Sequence, residues 1–360
     1  ALGWNALDAN TTADKNTAFG YNTLTDNTTG TRNTAIGAGA LANSTGDDNT
    51  AVGSNCADAL TTGTNNTAVG SYAFTTATTG SHNTAVGFDS LKNTTTAQRN
   101  VAVGSNCLVA NSTGNYNTAI GAYALDANTT ADNNVAVGDA ALSANTTGTG
   151  NAAFGRYALF TNSTANYNTG VGFEALKLNT TGALNTAIGA WALDANTTGD
   201  NNVAIGAGAL GSNTTANDNV AIGMQACSLN TTGSGNIAIG HDALEANQTS
   251  NNNLAIGLEA LTVNTAANNV ALGNYNLDSN TTGDGNVAVG YGVMQANTTG
   301  SHNTAVGRNS LLANTTGSYN TIVGHQAMQH CTDGTQNIAI GREAGKYITS
   351  GDYNISIGSI

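Results

Sequence analysis

Proline is absent from all 360 residues, and glycine, although it numbers 45, has no three-residue period, which excludes a collagen-like chain. Charge is scarce. Only 9% of residues are Asp, Glu, Lys or Arg, against roughly 25% in ordinary domains, so the chain also lacks the high charge of disordered segments. Nine basic residues against 22 acidic ones give a net charge of −13. Phosphate contacts need Lys and Arg, so nucleic acid is not an expected partner. No apolar run approaches the ~18 residues of a membrane span, so membrane insertion is not expected. Four scattered cysteines leave the redox compartment undecided.

What is present is a period. The string Asn-x-Ala-x-Gly recurs along the chain, closing at Gly20, Gly37, Gly53, Gly70 and so on to Gly358. These 21 glycines leave 20 intervals, of which 18 are 17 residues and two are 16 (Gly37 to Gly53 and Gly257 to Gly273). Gly3 fits the same phase. Counting that glycine as position 0, position −1 is apolar (Phe19, Ile36, Val52) and −2 is Ala in nearly every repeat. Position +3 is small, +4 is usually Leu (Leu24, Leu41, Leu125), +6 is often Ala, and Asn-Thr-Thr-Gly follows.

Seventeen residues rich in Gly, Asn and Thr make poor helices. Short β-branched segments between Gly and Asn read as strands, which have no partner inside the repeat and must pair with the next one. The expected fold is therefore all-β: a parallel β-solenoid (β-roll) of about 21 coils, with two short strands per coil and a single repeat domain over residues 1–360. At about 4.8 Å per coil this gives a rod on the order of 100 Å. The chain begins and ends within a repeat, so it is expected to be a segment of a longer chain or filament. The shorter intervals spare the Val/Ile-Gly strand end, where a slip would turn side chains to the wrong face. The first is placed before the Asn43 turn, in Leu41-Ala42-Asn43, and the second in the turn at Asn264–Asn269.

Strand alternation puts −1 and −3 on one face and −2 on the other. The leading assignment turns Val/Ile, with Leu at +4 and Ala at +6, into the coil and leaves Ala at −2 as a flat outer stripe. The reverse, in which Ala fills a very narrow coil and Val/Ile face a neighbouring subunit, stays open. Either way one long face is offered for self-association.

The string Asn-Thr-Ala-Ile-Gly-x-x-Ala-Leu (Asn33–Leu41, Asn117–Leu125, Asn185–Leu193) resembles the head repeat of trimeric autotransporter adhesins, and is similar to repeats in phage and giant-virus fibre-like proteins. The resemblance covers essentially the whole chain, with longer coils and Thr where the adhesin heads have Ser. It implies a left-handed roll and three chains side by side.

The Asn-Thr-Thr turns create N-glycosylation acceptor sequences at Asn10, Asn27, Asn43, Asn93, Asn111, Asn128, Asn145, Asn162, Asn179, Asn196, Asn213, Asn230, Asn247, Asn280, Asn297 and Asn314, with Asn65 and Asn354 outside that turn. One reading is a rod carrying a sugar on every coil, N-linked or, on the threonines, O-linked. The other is that Asn and Thr form turn hydrogen bonds and stacked amide ladders. Cys56 and Cys107 lie three coils apart, about 14 Å, beyond the ~7 Å reach of a disulfide. His82, His241, His302, His325 and His330 share no ligand spacing. Acids recur after the Leu (Asp8, Asp126, Asp194, Glu245, Asp278) and before the next strand (Asp14, Asp132, Asp200, Asp284). They read as a solvated surface, since the nonapeptide of calcium-binding β-rolls is absent.

No coil gathers paired carboxylates with His or Arg, so no catalytic, cofactor-binding or metal residues are assigned and no enzyme or cofactor is expected. The reading is a non-enzymatic structural fibre, extracellular or on a cell or virion surface, self-assembling as a homotrimer or filament. One alternative is an adhesin binding surface glycans or host receptors. A second is an ice-binding solenoid, whose outward Thr rows are here interrupted by Arg99, Tyr116 and Tyr167.

Overall fold

The computed structural model describes residues 1–359 and contains no helix among them. The fold is an all-β parallel solenoid, with strands recurring every 17 residues. The chain forms two compact units, Ala1–Ala183 and Leu184–Ile360. The first carries strands β1 (Thr17–Phe19) to β10 (Thr169–Val171), and the second β11 (Thr186–Ile188) to β21 (Ile355–Ile357). Within each unit, successive strands pair in parallel with like positions opposed, as in Thr17↔Thr34 and Val203↔Val220.

Each coil holds one strand of three residues, not two strands. The segment from +1 to +6 is a turn whose residues at +2 and +4 have left-handed backbones, as at Tyr123 (φ 56°) and Leu125 (φ 51°). A strand would point Ala124 and Leu125 to opposite sides. The left-handed steps bring both inside, and leave Ala127 half-buried. A left-handed leucine costs about 1–2 kcal/mol. Complete burial of its side chain contributes about 1.5–3 kcal/mol in return. Its N–H also donates to Ala141 O of the next coil at 3.1 Å.

The faces of the strand are the reverse of the leading sequence assignment. Ala at −2 points inward and is sealed, as at Ala119, Ala136 and Ala153, while −3 and −1 point outward. The reason is width. One coil's interior holds only Asn117, Ala119, Ala124, Leu125, Asn128 and Ala131. A β-branched residue at −2 would crowd the leucine and alanine opposite it; the one coil that holds one, at Ile322, has Met328 in the leucine slot.

The two 16-residue coils keep their strands in register (Thr34↔Thr50, Leu254↔Val270). In the first, Ser44 rather than Asn43 fills the inward turn slot, its N–H bonded to Leu41 O at 3.2 Å. The missing residue therefore lies after Ser44, not before Asn43, and both short coils are trimmed in the same turn. Glycine at position 0 is required twice over. Gly121 has φ 135°, and an added Cβ would fall on the carbonyl of Gly138 in the next coil.

Ala136→Ile at the centre of β8 (Val135–Val137) is expected to overpack the coil and lower stability by about 1–3 kcal/mol. Val137→Thr, one residue on but facing outward, should stay within about 0.5 kcal/mol. Urea unfolding followed by circular dichroism checks both.

Candidate functional surface

Four polar columns run along the coils. The first is Asn at −4, present in all 21 repeats and buried wherever a further coil covers it. Asn134 is typical. Its N–H donates to Asn117 Oδ1 of the preceding coil (3.0 Å), and its Nδ2 donates to Gly148 O of the following one (2.9 Å). Its own Oδ1 accepts from the N–H of Asn151 (2.9 Å). One side chain thus satisfies groups in two coils.

The second column is the turn Asn at +7. Asn145 Nδ2 donates to Asn128 Oδ1 (3.0 Å) and to Gly148 O (3.0 Å). The third is the hydroxyl at +8, with Thr146 Oγ1 donating to Ser163 O (3.1 Å). The fourth is the Asp, Asn or Ser at −6. Its side-chain oxygen accepts a backbone N–H from the coil before, as Asp132 Oδ1 does from Asn115 (2.6 Å). At Asp352 the backbone N–H and hydroxyl of Thr335 hold the carboxyl below its ordinary range. Of the acids before the strand read from sequence as solvated, Asp132 is a member of this ladder.

The amide ladders decide where the acceptor asparagines stand. Asn27, Asn111, Asn128, Asn145, Asn162, Asn179, Asn196, Asn213, Asn230, Asn247, Asn280, Asn297 and Asn314 are completely buried. A glycan on any of these Nδ2 atoms would have to occupy the coil interior, so a sugar on every coil does not fit the folded chain. Asn10, Asn43 and Asn93 are exposed, the last two because Ser44 and Thr94 take the inward slot. Asn65 is exposed and Asn354 half-buried. The threonine at +9 is exposed in most coils, as at Thr113, Thr130 and Thr147.

Interruptions of the +7 ladder leave orphaned acceptors. Asn314 Oδ1 is buried without a partner because Cys331 occupies the next slot. Asn247 Oδ1 is likewise unpartnered, because Asn264, in a shortened coil, turns its amide to Ala266 O (2.6 Å).

All four cysteines are unpaired and buried. Burial pushes the thiols of Cys56, Cys107 and Cys227 up to about 12, and raises that of Cys331. The histidines stay apart. His241 Nδ1 lies 3.0 Å from Asp242, His302 stacks on Tyr319, and His330 stacks on Tyr347. Among the described residues no three His, Cys, Asp or Glu side chains gather as metal ligands. The described residues contain no helix, and so none long and apolar enough to cross a membrane.

The outward strand face carries no charged residue in any of the 21 strands. In the first unit it is mostly Thr at −3 beside Val, Ile or Phe at −1, with Val101, Val135 and Ala152 breaking the threonine row. In the second unit both positions are apolar over six successive strands, from β12 (Val203–Ile205) to β17 (Val287–Val289). Ile237, Ile256, Ile338 and Ile340 are each more than a third exposed. The sequence pointed to a long apolar face but placed alanine on it.

No protein-family model matches the chain, and no curated protein matches it in sequence.

Cys331→Asn should complete the ladder onto Asn314 and raise stability by about 1 kcal/mol, read as a higher urea midpoint. The buried thiols also set a pH response. Unfolded thiols ionise near their ordinary value of 9 while the folded ones stay protonated. Folded values above unfolded ones mean full stability below pH 9 and progressive loss as pH rises from 9 toward 12. Native protein at pH 8 should leave a thiol reagent unreacted, and urea-unfolded protein should react at four thiols.

Proposed function

We propose that the protein is a non-enzymatic structural rod that self-associates through its outward strand face, at an extracellular, cell or virion surface. The observation that carries the reading is the stripe itself. Parallel, in-register strands present Thr, Val and Ile side chains to solvent with no charge, proline or bulge among them. Solitary soluble proteins blunt such faces with charges, because a flat apolar stripe favours association.

The repetition has a quantitative rationale. A three-residue strand covers about 10 Å across and each coil about 4.8 Å along, or roughly 50 Å² per coil. A standard interface needs about 800 Å² per partner, or on the order of sixteen coils. A few coils would associate weakly, and each added coil enlarges the area available. The resemblance of the Asn-x-Ala-x-Gly repeat to adhesin heads favours three chains.

Sedimentation and light scattering of the purified chain should give a multimer. Ile222→Asp combined with Ile239→Asp, on the outward face of β13 (Val220–Ile222) and β14 (Ile237–Ile239), should shift it to monomer. Thr215→Asp, in an exposed turn, should not. A wild-type chain monomeric at every concentration overturns the reading.

A further inference from the structure

The corner that follows each glycine, positions +1 to +6, makes few side-chain demands on its exposed sites. These sites vary from coil to coil, from Ala, Ser and Asn to Tyr, Asp and Glu. Two places in the first unit carry the same set. Tyr72, Thr76, Phe88, Asp89 and Lys92 recur 85 residues later as Tyr157, Thr161, Phe173, Glu174 and Lys177. Each set occupies the same phase of two adjacent coils. Phenylalanine occurs at +1, and threonine at +6, nowhere else in the chain.

The contacts of the lysine and the threonine are reproduced as well, while the ring partner differs, Phe88 for Tyr72 and Phe160 for Tyr157. Lys92 Nζ lies 3.0 Å from Asp89 and 5.6 Å from the centre of the Tyr72 ring, and Lys177 Nζ lies 3.0 Å from Glu174 and 5.9 Å from that of Tyr157. Thr76 Oγ1 donates to the Lys92 carbonyl (2.8 Å), and Thr161 Oγ1 to the Lys177 carbonyl (2.9 Å), fixing the backbone that carries each ammonium. Tyr72 and Phe88 stand edge to face, with centroids 6.3 Å apart. The second set adds Arg156, 4.5 Å from the Tyr157 ring centre. These side chains remain partly exposed, at 39% for Tyr72, 50% for Phe88 and 38% for Phe173.

One ion pair beside one ring would be a local stabilising contact. Five side chains kept together at two places, in coils that fold elsewhere without them, are more than the coil requires. We infer that the two clusters are paired binding platforms for a neutral, β-linked glucan-type polysaccharide. An equatorially substituted pyranose offers flat C–H faces to the rings, and its hydroxyls can accept from the ammonium and donate to the carboxylate. Each lysine is balanced by its acid and the chain carries −13, so anionic polymers are disfavoured. The platforms lie five coils apart, about 24 Å at ~4.8 Å per coil, so one linear chain can engage both. The inference extends the adhesion reading and does not rest on self-association, because the rings stand on the post-glycine corner and not on the strand face.

The test is affinity electrophoresis of the full chain through gels containing hydroxyethyl cellulose or, separately, dextran sulfate. Retardation by hydroxyethyl cellulose alone is expected. Because two linked sites gain roughly 10²–10⁴-fold in avidity, Tyr72→Ala or Tyr157→Ala should each weaken retardation at least 10-fold, and together abolish it. Tyr123→Ala, an exposed tyrosine in the same column without the lysine and acid, should leave it unchanged. Should the double alanine variant lose its β circular dichroism, Lys92→Gln with Lys177→Gln takes its place and should also weaken retardation. Four results would each overturn the inference: no retardation by hydroxyethyl cellulose, retardation by dextran sulfate alone, retardation indifferent to both double variants, or an equal loss in Tyr123→Ala. Light scattering on the same samples reports self-association separately, so the two readings fail independently.

Discussion

The bond on which the coils depend is the one from a backbone N–H to the side-chain oxygen of the asparagine one coil earlier. A 17-residue loop with a three-residue strand cannot satisfy its own backbone. Its donors and acceptors must be met by the loops above and below. Asparagine at −4 suits that task because one amide carries a donor and an acceptor on a short stem. Asn134 accepts from Asn151 and donates to Gly148, so each member fixes the height and the phase of the next coil at once. Leaving such a buried group unpaired costs about 1–3 kcal/mol, comparable with everything a single leucine contributes.

The rest of the coil accommodates that constraint. The asparagine columns stand inside, which in most coils leaves room for alanine and one leucine, and the strand's other aliphatic residues are displaced outward. The apolar strand face is in this sense a product of the polar interior. Sharp corners are made by left-handed residues at +2 and +4 and by the glycine at 0, whose neighbour in the next coil leaves no space for a Cβ. Where the asparagine column lapses, as at Cys331, an orphaned oxygen remains.

Much of the architecture was legible in the sequence. The phase of the glycines gave the coil length, the parallel pairing and the register, because a ladder of like positions needs a strict period. Cys227 in a leucine slot and Cys331 in a turn-Asn slot could be read the same way. The orientation of the strand could not. Alternation separates −2 from −1 and −3 but does not say which side is inside, and Val and Ile ordinarily go in. Interior width decided it, and width depends on the buried asparagines. The turn asparagines could be read two ways in sequence, as glycan acceptors or as a stacked amide ladder, and their burial decides for the ladder. The left-handed Leu125 was invisible too, because leucine has no preference for that conformation and takes it only once buried. The paired Tyr-Phe-acid-Lys sets were in plain view five periods apart, but that each lysine reaches both its acid and the ring of the preceding coil is a matter of geometry.

In-register pairing of equivalent positions has a consequence for how such a chain can change in size. Most coils present the same pattern of donors and acceptors to the coil before and to the coil after. Copying or excising one block of seventeen amino acids leaves each column unbroken, so reach alters in whole rungs and never in fractions. Reach is a counted quantity here, open to selection one rung at a time.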